Sequence, residues 1–402
     1  MKLDMHKNQF NITPILITLL IAAAEIAISF NSVLLPDIKQ SFTVSDATAQ
    51  GTVSIGLFAL GFFGMIYGAI SDCIGRRPMF LMSIGIFTIS SLACTLATNI
   101  YFFLAARLLQ GAGSGASWIV GNACLKDIYH QEAYTRVMNN IHAVAGILPA
   151  IAPVIGSKIA SEATWQTCFL LLFILGAITF SGIFFFQPET LKTKKPLSGH
   201  LLLEEYLLLT RNIPFLGYLA IKVICVMIMF VDTSNTSLIF IEHLGVAHAH
   251  FGYYVLPAFS AYVLATIIAA RLAGQVKINA FLSIGLACIL LAQLFLVNSP
   301  LTWQKDPVIV QGIKCLMYFG LGFIFGNATA MVVSSAENTP GSASATMIGL
   351  EMLFSSLGIM LLANYFDGSI LPLAYFTGIS TLIALLVLGW LHFLWQQRGT
   401  GS

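Results

Sequence analysis

Five ionisable side chains lie well inside long apolar stretches of this sequence: Glu25, Arg107, Lys222, Lys314 and Glu351. A charged side chain at the centre of a membrane-spanning helix costs about 2.5–3.5 kcal/mol on insertion scales, so such residues by default face a wet interior and mark function. The carboxylates can bind protons, and the cations can bind negative groups. These residues are therefore the candidates for chemistry.

Lys222 shares its apolar stretch with Asp232, which lies nearer the end of that stretch. At 1.5 Å per residue the two are about 15 Å apart along a helix and on different sides of it. They cannot be simple partners. Lys222 must pair with a residue on another helix or with a ligand, and Glu25 and Glu351 are the carboxylates predicted at a matching depth.

Glu25 is the first candidate for a proton carrier. The proton affinity of a carboxylate depends on its burial and on nearby charges. A conformational change that opens the site alternately to each side of a membrane would change both influences, so that Glu25 could take a proton outside and release it inside. Glu351 is the second candidate, with a static ion pair to Lys314 or Lys222 as the alternative.

The elements that position these residues must be membrane helices. Of 402 residues 57% are hydrophobic and 9% charged, whereas a soluble chain carries about a quarter charged residues. A helix needs about 20 apolar residues to cross the hydrocarbon core. We therefore predict an all-α integral membrane protein with twelve transmembrane helices, at residues 12–34, 47–70, 79–97, 101–125, 137–160, 166–187, 213–240, 252–272, 278–298, 307–333, 343–365 and 370–395.

The distribution of Lys and Arg predicts that both termini are cytoplasmic. With that orientation thirteen of these residues lie in inside segments and three outside, at Lys39, Lys158 and Lys305, as the positive-inside rule requires. The polar start of the chain has no small-residue cleavage site behind a short apolar core, so we expect the first run to remain as a helix. Seven scattered cysteines predict free thiols.

A polar break predicts two six-helix halves, residues 1–187 and 212–402, joined by a cytoplasmic linker at 188–211. The segments "GRRPMFLMSIG" and "QVKINAFLSIG" open the third helix of each half, which suggests a repeat. Parallel repeats of six helices, with the substrate between them near the midplane, are one architecture of secondary transporters.

The joint between the second and third runs has a specific pattern. "GAISDCIGRRPMFL" contains Gly68, Asp72, Gly75, Arg76 and Arg77. Glycines permit close approach and positive φ, and one carboxylate with two guanidinium groups can form an ion-pair clasp at the membrane face. These residues resemble the signature loop of the major facilitator superfamily, G-x-x-x-D-x-x-G-R-R. The alternative is that both arginines are only positive-inside anchors.

Other segments resemble one branch of that superfamily, the Bcr/CflA-type drug:proton antiporters. "RLLQGAGSGASWIV" matches the R-x-x-Q-G motif at Arg107, Gln110 and Gly111. "GILPAIAPVIGS" resembles the antiporter motif of helix 5, with Pro149, Pro153 and Gly156. "KDIYHQEAYTR", "FFQPETL" and "IEHLGVAHAHFGYY" are also similar to segments of this branch, so the resemblance spans nearly the whole chain.

The resemblance implies drug efflux driven by a proton gradient, with no cofactor. It also implies a coupling role for Arg107, for which the alternative is a packing hydrogen bond to Gln110 or to nearby carbonyl groups. A proton symporter or importer of the same fold remains open. We expect a monomer in the bacterial inner membrane, with no nucleic-acid partner.

The cargo is expected to be a small molecule. Glu25 and Glu351 against Arg107, Lys222 and Lys314 leave a net positive core if all face inward, which favours an anionic or zwitterionic cargo such as a polycarboxylate metabolite or a carboxylate siderophore. Lys314 has a second interpretation, in which it snorkels to the outer surface. Polar and aromatic residues that either line the cavity or bond helices together are Asn31, Trp118, Asn122, Asp232, Asn235, Tyr262, Tyr318 and Asn327.

Four other features bear on the transporter interpretation. No glycine-rich loop followed by Lys-Ser/Thr is present, so the sequence does not support direct ATP drive. No nucleophile and base cluster within the apolar runs, so we predict no enzyme. The acidic and histidine residues of "EHLGVAHAH" could bind a metal, but the resembling family has this loop without that role, so we predict no metal site. His142 is interpreted as a packed or loop-facing histidine, with a pH-sensitive group as the alternative.

Overall fold

The computed structural model describes residues 2–129, 131–194, 207–336 and 340–399, and its regular elements there are helices. The chain forms two compact units, Met1–Leu202 and Leu203–Ser402, which are described separately. Half of the predicted linker, residues 195–206, lies outside the described ranges.

The first unit contains eight described helices. They are α1 (Lys2–Val33), α2 (Leu35–Phe42), α3 (Asp46–Ile74), α4 (Arg76–Thr95), α5 (Ile100–Ser114), α6 (Ala116–Ile128), α7 (Gln131–Glu162) and α8 (Trp165–Phe186). Pro149 and Pro153 lie inside α7, which remains one helix; membrane helices tolerate proline because neighbouring groups satisfy the freed backbone atoms.

The second unit begins, in its described part, with α9 (Ile213–Ser237), which continues as a π-helical segment, Leu238–His243. The other helices are α10 (His248–Arg271), α11 (Ile278–Asn298), α12 (Leu301–Gln304), α13 (Pro307–Ser334), α14 (Pro340–Ala363) and α15 (Leu371–Gly399).

Eleven helices of the described chain are long and apolar enough to cross a membrane, which confirms the all-α membrane fold. The difference from the twelve predicted runs is at 101–125, which α5 and α6 cover in two parts joined at Gly115. The Gly115 N–H donates to Ala112, three residues back, and a Cβ there would lie 2.9 Å from the backbone nitrogen of Gly64. The close contact with α3 and the tightened turn explain the interruption.

Small residues allow helices to approach closely within each unit. A Cβ on Gly111 of α5 would overlap the carbonyl oxygen of Gly56 on α3. In the second unit a Cβ on Gly285 of α11 would lie 2.6 Å from the carbonyl oxygen of Gly320 on α13. Such contacts are typical of membrane helices, where packing replaces the hydrophobic drive between elements.

Candidate functional site

Glu25 of α1 is half-buried, and its hydrogen-bond partner is an indole. Trp118 Nε1 on α6 donates to Glu25 Oε1 at 3.0 Å. The Trp118 ring stacks in turn on the ring of His142 from α7, with centroids 5.0 Å apart and an interplanar angle of 24°. Three helices therefore bring together a carboxylate, a neutral donor and an imidazole.

A second contact extends this arrangement. Asn122 lies four residues after Trp118, on the same face of α6, and its Oδ1 accepts from the hydroxyl of Tyr134 on α7. We name Glu25, Trp118, Asn122, Tyr134 and His142 the first-unit polar face. Glu25, Trp118 and Asn122 are predicted site residues, and His142, predicted as a packed or loop-facing histidine, stacks on Trp118. No role was predicted for Tyr134.

Arg107 of α5 is 3% exposed. It makes the hydrogen bonds expected of a packing residue, which is the alternative to a role in coupling. Its guanidinium donates to Gln110 Oε1 and, through Nε, to the carbonyl oxygen of Thr52 at 3.3 Å. Asn31 donates to the hydroxyl of the same threonine at 3.1 Å. Arg107 is thus hydrogen-bonded to α3 and to its own helix α5, and its described bonds do not reach Glu25.

The signature loop forms a clasp, but only one arginine pairs with the predicted aspartate. Arg76 contacts Asp72 Oδ1 at 2.6 Å and Asp127 Oδ2 at 3.1 Å. The Arg77 guanidinium instead donates to the carbonyl oxygen of Phe184 at 2.7 Å. The expectation that both guanidinium groups join Asp72 is corrected, because the end of α8 provides a nearer acceptor for Arg77.

Glu189 completes the clasp from the segment after α8. Its carboxylate accepts from the backbone N–H groups of Arg76 at 2.9 Å and Arg77 at 3.1 Å, where α4 begins with unsatisfied donors. Gly75 has φ +113°, and a Cβ there would overlap Glu189 Oε2. The sequence patterns assigned no role to Glu189 or Asp127; an acidic residue shortly after the end of an apolar run was the available signal.

A buried ion pair bridges α9 and α13 in the second unit. Lys314 Nζ lies 2.9 Å from Asp232 Oδ1, and both side chains are 3% exposed. Asp232 Oδ2 accepts from the Tyr318 hydroxyl at 3.0 Å, and Lys314 donates to the Thr236 hydroxyl. The snorkelling interpretation of Lys314 is wrong, because the ammonium is enclosed by its partners.

Lys222 and Glu351 form a looser pair between α9 and α14. Their Nζ and Oε1 atoms are 3.9 Å apart, with side chains 8% and 9% exposed. Lys222 Nζ also lies 4.0 Å from the centroid of the Phe325 ring. Among the described residues no hydrogen-bond donor reaches Glu351 Oε1. The depth-matched pairing predicted for Lys222 is therefore present with Glu351.

The two ion pairs of the second unit change the charge balance from which an anionic cargo was predicted. That balance omitted Asp232, which is buried with Lys314. Within the second unit the two buried lysines face two buried carboxylates, so their charges balance. The expected net positive core is corrected for this reason.

The remaining predicted polar residues make contacts within their own unit. Asn235 donates to the Val231 carbonyl at 2.8 Å, and Asn327 donates to the Phe323 carbonyl at 2.8 Å. Tyr262 contacts the Phe325 ring, with centroids 5.5 Å apart, and Gly156 packs against Phe30. Both of these amide hydrogen bonds lie within a single helix, so they neither line a cavity nor join two helices.

Three comparisons with known proteins agree with this architecture. The sequence model of the Major Facilitator Superfamily matches residues 16–363. The chain is 28% identical over 303 residues to the multidrug transporter MdfA of Yersinia pestis bv. Antiqua (strain Angola), covering 75% of this chain and 74% of that protein. It is 23% identical over 363 residues to the bicyclomycin resistance protein homolog of Haemophilus influenzae, covering 87% and 88%.

The fold is also similar to a solved transporter. The xylose transporter XylE from E. coli, in a partially occluded inward open conformation, superposes with a TM-score of 0.72. The sequences are 13% identical, and the match covers 96% of this chain and 97% of that one. At this identity the likeness concerns the fold alone.

Proposed function

Because this chain belongs to the Major Facilitator Superfamily, we propose that it is a proton-coupled secondary transporter that exports small molecules by alternating access. The similarity to a bicyclomycin resistance protein homolog and to a multidrug transporter agrees with the Bcr/CflA-type branch. Drugs or metabolites leave in exchange for protons across the bacterial inner membrane, with both termini cytoplasmic. The energy source is the proton gradient.

The observation that carries the proton-coupling assignment is the bond between Trp118 and Glu25. Its donor is neutral, so a proton can bind to Glu25 or leave it without stranding a buried cation. Protonation of Glu351 or Asp232 would instead leave Lys222 or Lys314 without its carboxylate. An unpaired buried charge is strongly destabilising. Glu25 is therefore the preferred proton carrier, and Glu351 the second.

The loose pair of Lys222 and Glu351 supports a cargo contact. The gap of 3.9 Å between Nζ and Oε1 leaves both groups with hydrogen-bonding capacity for a substrate that carries a donor and an acceptor. A zwitterion can pair with both charges, and a neutral amide can form a hydrogen bond with each of the two groups. A purely anionic cargo pairs only with the lysine and is repelled by the Glu351 carboxylate. The anionic cargo, such as a carboxylate siderophore, is the second candidate.

Transport in proteoliposomes with an imposed pH gradient tests this function. The substrates are three small aromatic probes of similar size, one cationic, one zwitterionic and one anionic. We expect the zwitterionic probe to move against the direction of proton flow, and to stop moving when an uncoupler dissipates the gradient. Movement in the same direction as the protons would establish the symporter alternative, and gradient-independent movement of all probes would contradict coupling.

A further inference from the structure

Trp118 connects two titratable side chains from different helices. Its indole N–H donates to Glu25 at 3.0 Å, while its ring face lies against the imidazole of His142, with centroids 5.0 Å apart. His142 is exposed and Glu25 is half-buried. The imidazole is therefore less enclosed by protein than the carboxylate with which it shares the indole.

The charge on His142 changes the interaction with Trp118. A cation within about 6 Å of an indole centroid is attracted to the ring face, which the neutral imidazole is not. An imidazolium also withdraws electron density from the stacked ring and so makes the indole N–H a stronger donor. A stronger donor favours the carboxylate over the carboxylic acid at Glu25. A proton on His142 and a proton on Glu25 thus disfavour each other, and this coupling is reciprocal.

We propose that His142 is a positioning residue for proton exchange at Glu25, acting through Trp118. The inference rests on the proposed role of Glu25 as proton carrier. His142 holds the indole in place by stacking, and its protonation promotes release of the proton from Glu25. Histidine suits this role because it changes charge between about pH 5 and 8.

The titratable groups around His142 single out Glu25 as its coupled carboxylate. In the apolar part of α1, residues 12–33, Glu25 is the one ionisable residue, and α8 offers Cys168 alone. On α6 they are Cys124, Lys126 and Asp127, of which Lys126 lies over the Tyr134 ring at 5.8 Å and Asp127 pairs with Arg76. On α7 itself the nearest on the same face is Tyr134, which is bonded to Asn122.

Tryptophan fluorescence of the purified full-length protein tests the proposal without a substrate. The chain has five tryptophans, so the Trp118 signal is the difference between the parent and Trp118→Phe. An imidazolium stacked on an indole quenches its emission, and we expect this difference signal to fall as the pH decreases between about pH 8 and 5. In Glu25→Gln the midpoint moves to lower pH, because the carboxylate that favours a charged His142 through the indole is absent and the coupling is reciprocal.

Two histidine variants decide the assignment. Both are measured in Glu25→Gln, because the Glu25 carboxyl accepts the indole N–H and its own titration would alter the Trp118 signal. In that background His142→Gln removes the pH-dependent part of the Trp118 signal, whereas the same substitution at His392, in the other unit, leaves it unchanged. A Trp118 signal that is independent of pH in the parent, or that still titrates when both Glu25 and His142 are glutamine, overturns the proposal. If His142→Gln fails to fold, as judged by gel filtration, His142→Asn is used for the same measurement.

Transport separates this inference from the proposed function. His142→Gln keeps proton-driven export but loses the inflection of the rate between about pH 5 and 8, whereas Glu25→Gln loses proton-driven export at every pH. An unchanged pH profile in His142→Gln contradicts the positioning role alone. Full export by Glu25→Gln contradicts the proton carrier itself, whatever the fluorescence shows.

Discussion

Lys222 Nζ lies 3.9 Å from Glu351 Oε1 in the interior of the second unit, beyond hydrogen-bonding distance. Helix α9 also contributes Asp232, whose Oδ1 lies 2.9 Å from Lys314 Nζ on α13. This second pair is further hydrogen-bonded to Tyr318 and Thr236. One unit therefore contains a saturated ion pair and an open one. The saturated pair suits a structural role, and the open pair suits a ligand.

The saturated pair is expected to contribute more to stability than the open one. Lys314→Met leaves Asp232 as a buried charge, and breaking a buried pair costs about 3–5 kcal/mol. Lys222→Met costs less, because its ammonium makes a longer contact with its carboxylate. The measurement is the free energy of unfolding of each purified variant in detergent micelles. Equal losses for the two methionine variants would disprove the distinction.

Glu351→Gln is expected to be rescued by a second substitution. Alone it leaves Lys222 as a buried cation without its carboxylate, which destabilises the second unit. Lys222→Met in the same chain removes that cation, so the double variant has a higher thermal unfolding midpoint than Glu351→Gln. Combining Glu351→Gln with Lys305→Met, at a residue of the loop before α13, gives no recovery. Additive effects of the Lys222 and Glu351 substitutions would show that the pair is not coupled.

Gly111→Val is expected to separate α5 from α3. A Cβ at Gly111 already overlaps the Gly56 carbonyl oxygen, so the larger side chain forces a backbone shift of the kind that costs about 1–3 kcal/mol in packed cores. The matched control is Gly146→Val in α7, where a Cβ meets nothing within 4 Å. Thermal unfolding in detergent should show a lower midpoint for Gly111→Val alone, and the two variants unfolding together would refute the close approach.

Glu189→Gln is expected to weaken the start of α4. The carboxylate accepts two backbone N–H groups at the positive end of the helix dipole, an interaction of about 0.3–1 kcal/mol when exposed and up to about 2 kcal/mol when partly buried. Glutamine keeps one of the two acceptor oxygens, replaces the other with an NH2 donor and loses the charge. Hydrogen exchange of the Arg76 and Arg77 amides should accelerate in Glu189→Gln and stay unchanged in Glu162→Gln, a surface control. Unchanged exchange in both variants would show that the charge is not needed.

The helices and the family could be predicted from the sequence because both signals are local. Apolar runs identify the spans, and contiguous motifs such as "GRRPMFL" carry the resemblance that the family match confirms. The interruption at Gly115 could not be predicted, since it depends on how closely α3 approaches.

The partners of the charged residues were harder to predict. Helix geometry excluded Asp232 as the partner of Lys222, but the partner of Asp232 itself lies 82 positions further along the chain, at Lys314. The Trp118 bond to Glu25 likewise joins residues 93 positions apart. Single-residue patterns contain no information about such pairs, because they are set by which helices pack together.

The central claim is that Glu25 carries the coupled proton, and proton flux in proteoliposomes tests it most directly. The parent protein, Glu25→Gln and the surface control Glu162→Gln are reconstituted with an internal pH dye, and substrate-induced proton movement is recorded under an imposed gradient. We expect substrate-induced proton movement in the parent and in Glu162→Gln, and none above empty liposomes in Glu25→Gln. Full substrate-induced proton movement in Glu25→Gln would contradict the account.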